Sequence, residues 1–492
     1  MNPYIRLAAA LALVAVAAPL AAQEYPKTPP APGPLTPAPF PPFQEAVLPN
    51  GLRILVVESH KQPIVSLSLS FAAGSIFDPP GKEGLSEMVA GLLTKGAGTR
   101  TAEQISEAIE GAGGSLSAGA GSDFLTISST VLKTSLPLAM ELVGDAAVRP
   151  TFPETEVELL RTQTLSGLQV ALSQPEAIAS RIFQRTLYGQ NPYGRSANPA
   201  SVKATMRADL VAFQRSRLRP GGALLVVAGA TSLAEIRALA MKTFRGWAGV
   251  PPAAPIFKAP PVRTRTELTL VHRPGSVQSN ILVGNLTFRP NDPRTYSAAV
   301  ANQVLGGGAS SRLFLILREA KSWTYGAYSR FARHKGVGSF EANTEVRTEV
   351  TDSALRETLA QLRRMADEPV PMRELEDAKG SLTGSFPLSI ESADQVAGAV
   401  ANARLYGLAP DYVQTYRVKI GAVTAAQVQA TAGSTIRPGT VAIVVVGDGS
   451  KIYERLKDIA PISIVDPEGK PLTPADLTPR VAALDLDLTA LV

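Results

Sequence analysis

Apolar residues recur along this chain with two periods, and together they predict a mixture of strands and helices. Arg53 to Val57, Ile64 to Phe71 and Leu125 to Leu132 are β-branched or alternate apolar with polar, which predicts strands. Glu87 to Leu93, Ala102 to Ala112, Leu136 to Val148, Glu154 to Leu172 and Ala177 to Tyr188 show helical spacing. Pro153 suits a helix first turn, and Gly113-Gly114 is a helix stop. An apolar strand follows from Ala223 to Ala228 and ends at Gly229. Further on, Thr266 to Val271, Ser279 to Gly284, Thr324 to Arg330 and Gly338 to Asn343 read as strands. Tyr296 to Leu305, Arg312 to Glu319, Ser353 to Ala366, Arg373 to Gly384 and Ala393 to Tyr406 read as helices.

The second half echoes the first. Leu187-Tyr188-Gly189 returns as Leu405-Tyr406-Gly407, and Leu218-Arg219-Pro220-Gly221 returns as Ile436-Arg437-Pro438-Gly439, each pair 218 positions apart. The apolar strand also recurs, as Val441 to Val446 ending at Gly447. Separate matches at one offset mark an internal duplication. The expected fold class is α+β: two homologous α/β domains, each a mixed, mainly antiparallel sheet with helices packed on it. A proline cluster between Val250 and Pro261 divides them. The expected organisation is an N-terminal domain over 44–248, a linker over 249–263, a C-terminal domain over 264–458 and a tail over 459–492. The weak pattern after Pro461 predicts a surface-bound or mobile strap.

A chain of 492 residues is too long for one compact core, and 45% apolar with 18% charged residues fits ordinary globular protein. The net charge of +6 is small and dispersed, with no basic block interleaved with aromatics, which sets nucleic acid aside as a partner. Arg6, the apolar run Leu7 to Ala18 and Leu20-Ala21-Ala22 make residues 1–22 an expected signal peptide. Export is therefore expected, to the periplasm in a Gram-negative source. The run is short for a bilayer span, and a retained anchor is the alternative. Residues 23–43 are crowded with proline and predict an extended tether or recognition arm. The absence of cysteine removes disulfides, thiol nucleophiles and Cys-based metal sites.

Little raw material for catalysis remains. His60, His272 and His334 lie far apart without helical pairing, and each reads as a lone surface side chain rather than part of a three-His zinc site. Gly306-Gly307-Gly308 is not followed by Gly-Lys-Ser/Thr and predicts a tight turn or a lip over a cavity, not a phosphate loop. No G-x-S-x-G elbow occurs. Arg318 ends a predicted helix, and Tyr325, seven residues on, lies in a predicted strand. By residue type alone, Arg318 pairs with an acid and Tyr325 caps a sheet.

Several strings together carry a resemblance. Asn50-Gly51-Leu52, the segment Gly84 to Thr99, Pro192-Tyr193-Gly194 and the segment Arg312 to Tyr328 resemble the pitrilysin/insulinase family of zinc metallopeptidases, which includes the mitochondrial processing peptidase. The likeness covers about residues 44 to 450. Gly84 to Thr99 has the frame G-L-x-H-x-x-E-H-x-x-x-K-G, but Glu87, Ala90 and Gly91 stand where the family has His, Glu and His. Leu165-Ser166-Gly167-Leu168, near the expected third ligand, has no carboxylate either. The Arg318…Tyr325 spacing looks like the pair that family members place facing the zinc.

The resemblance implies a two-domain, non-catalytic member, half of a clam-shell, that holds no metal or cofactor itself. A zinc-bearing partner of the same family would complete a heterodimer acting on peptides, with Arg318 and Tyr325 binding substrate and steadying the oxyanion. The rival expectation is an inert structural or polypeptide-binding homologue. An active peptidase with an unusual site is the third.

Overall fold

The computed structural model describes residues 40–478 of the chain. The expected signal peptide, and the arm up to residue 39, lie outside the described residues. Two sheets organise the molecule. In the first, β1 (Phe43–Val47), β2 (Arg53–Glu58), β3 (Ile64–Phe71), β6 (Ser115–Ala120), β7 (Leu125–Leu132) and β8 (Ala223–Gly229) take the order β1-β2-β8-β3-β7-β6. A separate short ribbon pairs β4 (Gly96–Ala97) with β5 (Arg100–Thr101). The second sheet holds β9 (Glu267–His272), β10 (Gln278–Leu286), β11 (Thr324–Ala332), β12 (Ser339–Arg347), β13 (Ala442–Gly447), β14 (Ile462–Val465) and β15 (Pro471–Leu472). Its order is β11-β12-β10-β13-β9-β14-β15.

Both sheets are mixed and mainly antiparallel. Parallel pairs are confined to β2–β8 in the first and to β13–β9 and β14–β9 in the second. The orders match strand for strand, β2-β8-β3-β7-β6 against β9-β13-β10-β12-β11, as a duplication demands. The outer edges differ. In the first, β1 adds antiparallel from the N-terminal side. In the second, β14 adds parallel from the segment whose pattern predicted a strap. Ile462–Val465 is too short for periodicity to declare it, and the open edge of β9 supplies its hydrogen bonds.

The central strands read as continuous apolar runs because both of their faces are buried. In β8, Leu225 and Val227 join the core beneath the helices of the first half, while Leu224, Val226 and Ala228 point the other way. In β13, Ile443 and Val445 likewise oppose Ala442, Val444 and Val446. The second faces are covered by exchange between the halves. Helix Pro175–Tyr188 belongs in sequence to the first half, but Ile178, Ala179, Ile182 and Phe183 pack on β10 and β13 of the second sheet. Helix Ala393–Leu405 reciprocates, setting Val396, Ala397, Val400 and Ala401 on the first sheet. These two sets are the same positions of the repeat, 218 residues apart.

A polar node also joins the halves. Asp123, in the turn before β7, accepts a bond from the Tyr193 hydroxyl at 2.5 Å and from the Lys335 backbone amide at 2.9 Å. Gly336 N–H donates in turn to the Tyr193 oxygen at 3.0 Å. His334 stacks on the Tyr193 ring at 4.3 Å. Burial and the bond to Asp123 push the Tyr193 hydroxyl pKa well up, so it stays a donor. Tyr193→Phe leaves one oxygen of a buried carboxyl without its donor. It is expected to cost about 2–3 kcal/mol in urea unfolding, because bonds to charged groups are worth about that much.

Two histidines expected at the surface are not there. His272 is buried, and its Nδ1 accepts from the Gly449 amide at 3.0 Å, capping helix Gly449–Leu456. His334 sits in the node, where burial pushes its pKa below the ordinary imidazole value. Only His60 of the three is exposed, beside Glu58 at 2.8 Å. Their separate partners exclude a common three-His site.

Candidate functional site

The segment with the zinc-helix frame folds as helix Leu85–Leu92, held by its N-terminus. Gly84 precedes it in the left-handed region at φ 97°, and the Asp78 carboxyl accepts from the Gly84 and Ser86 amides at 2.8 and 2.9 Å. Burial outweighs these bonds and pushes Asp78 up to about 6. The folded chain therefore keeps the proton between about pH 4 and pH 6, where the unfolded chain has released it. Stability is expected to fall as pH rises through that window, by up to about 3 kcal/mol. Asp78→Asn should remove that component, read as the difference between wild-type and variant unfolding midpoints from pH 4 to 7.

Along the helix, Glu87 is exposed, with desolvation by the surrounding protein raising its pKa. Ala90 is fully buried. Gly91 faces Leu160 of helix Glu154–Ser173, and a Cβ at position 91 would lie 3.1 Å from the leucine methyl. A methyl group, a hydrogen and one carboxylate do not make a zinc site, and leucine fills space that an imidazole at 91 would need. Among the described residues no group of three or more His, Cys, Asp or Glu converges on a point. The residues present do not fit the metal that the frame implies.

Arg318 and Tyr325 do come together. Both line an open cavity of about 580 Å³, with Gln278, Trp323 and Arg347 around them. The predicted helix starts at Arg312 but widens at once into a π-helix over Leu315–Ala320, with Lys321 N–H reaching back to Ile316 O. Ser322 then turns the chain at φ 51°, a left-handed conformation uncommon for serine. These two irregularities place Arg318 at the lip. Its guanidinium lies 4.8 Å over the Phe314 ring, and among the described residues its ion-pair partner is its neighbour Glu319, at 3.5 Å.

Tyr325 is 89% exposed. The β11–β12 register shifts between Thr324 and Ala327. Such bulges re-aim side chains. Here Tyr325 and Tyr328, three apart, are both exposed, which strict alternation would forbid. Gly326 has no Cβ because one would lie 2.7 Å from the Tyr328 ring. Gly306 lets helix Thr295–Leu305 end hard against the same strand, since a Cβ there would lie 2.3 Å from Ser329 N. The glycine run thus serves as the tight turn expected of it. A guanidinium fork and a projecting hydroxyl on one rim suit an extended peptide's carbonyl groups.

Pattern reasoning missed Trp323, Gln278 and Arg347, which only strand pairing brings to this rim. It also missed Asp78, whose sole signal is an acid shortly before a helix start.

The chain belongs to the insulinase family, peptidase family M16. The model "Insulinase (Peptidase family M16)" matches residues 53–199, and "Peptidase M16 inactive domain" matches residues 205–382. An uncharacterised zinc protease of Mycobacterium tuberculosis (strain ATCC 25618 / H37Rv) is 28% identical, over 83% of this chain and 94% of its own. The uncharacterised zinc protease YmxG of Bacillus subtilis (strain 168) is 25% identical, over 70% and 84%. Among solved structures, a peptidase M16 inactive domain from Pseudomonas fluorescens superposes with a TM-score of 0.77 at 26% identity, over 82% of this chain and 98% of that one. A protease from Helicobacter pylori also gives 0.77, at 18% identity over 82% and 99%, which speaks to fold alone.

Proposed function

We propose that this chain is the non-catalytic subunit of a heteromeric insulinase-like zinc metalloendopeptidase that acts outside the cytoplasm on peptides or unfolded segments. A zinc-bearing family member supplies the metal, which polarises water against the scissile carbonyl. This chain contributes half of a clam-shell chamber and its Arg318–Tyr325 rim. The guanidinium holds peptide carbonyls, and the Tyr325 hydroxyl donates to the oxygen on which charge develops, a bond worth most in the transition state. One juxtaposition carries the reading: the helix framed for metal has lost every ligand, while the Arg–Tyr pair lies together on an open rim. A pure scaffold has no use for that pair.

The test mixes the purified chain with zinc-bearing family members from the same source and follows a quenched fluorescent peptide. Chelator-sensitive cleavage by the pair, absent from this chain alone, is the expected result. Stoichiometric zinc in the lone chain, with chelator-sensitive hydrolysis, would overturn the assignment. A stable complex whose activity does not depend on this chain would establish the inert, polypeptide-holding alternative.

A further inference from the structure

A recess of about 900 Å³ opens where the helices Leu136–Val148, Arg207–Arg217 and Leu233–Thr243 end, and it shares no lining residue with the Arg318–Tyr325 cavity. Arg149, Arg207, Arg215, Arg219 and Arg245 line it, and no Asp or Glu does. Helix C-termini present carbonyl oxygens and commonly recruit arginine for that reason. Here other donors already meet two of the carbonyls near these ends. Gln214 Nε2 donates to Ala147 O at 2.7 Å, and the Trp247 indole donates to Leu218 O at 3.3 Å. Arg207 holds the carbonyls of Thr151 and Phe152 at 2.7 and 2.6 Å, bracing a turn in which Phe152 sits at φ 47°. Arg219 reaches Ala248 O at 3.4 Å, and Arg149 pairs with Asp145. Arg215 and Arg245 are left over, exposed and without an ion pair or hydrogen bond among the described residues.

We propose that this recess binds a phosphate-bearing anion. Guanidinium forks match phosphate oxygens two at a time, and five arginines with no carboxylate among the lining residues outweigh the partial negative charge of the helix C-termini. The braced turn and capped helix ends hold the site rigid before the ligand arrives. The phosphate could belong to a soluble compound or to a lipid headgroup. The chemistry at the recess is the same for both, and the inference does not depend on the peptidase assignment.

The full mature chain is titrated calorimetrically with inorganic pyrophosphate at low salt, and separately sedimented with phosphatidylglycerol or phosphatidylcholine vesicles. Arg215→Ala/Arg245→Ala is compared with Arg373→Glu, an exposed site elsewhere that changes the net charge by the same amount. Both positions of the double variant are solvent-facing, and circular dichroism verifies the fold. Loss of pyrophosphate affinity by about tenfold or more in the double variant alone supports the site and names a soluble source. Loss of phosphatidylglycerol binding in the double variant alone, without pyrophosphate affinity in the wild type, supports it and names a lipid. Failure of the wild type to bind either probe, or equal loss in both variants, overturns it.

Discussion

Phe183→Ala is expected to lower the unfolding free energy by about 3–5 kcal/mol, the range for emptying a buried phenyl site. The loss should appear as one cooperative transition with both halves involved. Phe183 is fully buried, but its ring lies against the second sheet while its helix is tied in sequence to the first half. A cavity there weakens the contact by which each half covers the other. Denaturant unfolding followed by fluorescence and by circular dichroism should give coincident, shifted midpoints. Two separated transitions would mean that the exchanged helices do not couple the halves. The same reasoning predicts that residues 40–248 expressed alone will bind hydrophobic dyes. Without helix Ala393–Leu405, Leu55, Val57, Leu224 and Val226 lose Val396, Ala397, Val400 and Ala401 from the cluster that covers them.

Tyr325→Phe in the reconstituted pair is expected to reduce kcat about 10²–10³-fold with little change in KM, the size seen when an oxyanion donor is removed. The ring is 89% exposed, so removing its oxygen costs no folding stability that could mimic the effect. Arg318→Ala is expected to act differently. Its donors meet carbonyls in the ground state as well as the transition state, so KM rises along with the fall in kcat/KM. Single-turnover kinetics of the pair separate the two patterns. Unchanged kcat in both variants would sink the proposed role while leaving the fold and the family untouched.

How much of this was legible beforehand depended on the kind of signal. Strands β3 and β7 were legible residue for residue, because a period of two with one polar face survives any packing partner. The edge strand β6 alternates as well, but its inward residues Leu116, Ala118 and Ala120 are mostly too small for the alternation to stand out, and pairing with β7 and packing on the core define it. Helix Arg312 to Glu319 was legible as a helix but not as a π-helix. That widening is settled by the backbone bonds of Lys321 to Ile316 and of Trp323 to Leu317, not by propensity. Glu87, Ala90 and Gly91 could be read directly, because a missing imidazole needs no tertiary structure to be missing. Leu160 over Gly91 could not, since it comes from a different helix.

The residue order by itself determined the duplication, the two-sheet class and the loss of the metal ligands, because each is written in local spacing or side-chain identity. Only the tertiary structure decided which helix covers which sheet. Ile178 to Phe183 and Val396 to Ala401 present equivalent apolar faces, and either could in principle pack on its own half. The exchange, the bulge that turns Tyr325 outward and the gathering of five arginines in one recess depend on contacts between distant segments. Local periodicity holds no record of such contacts.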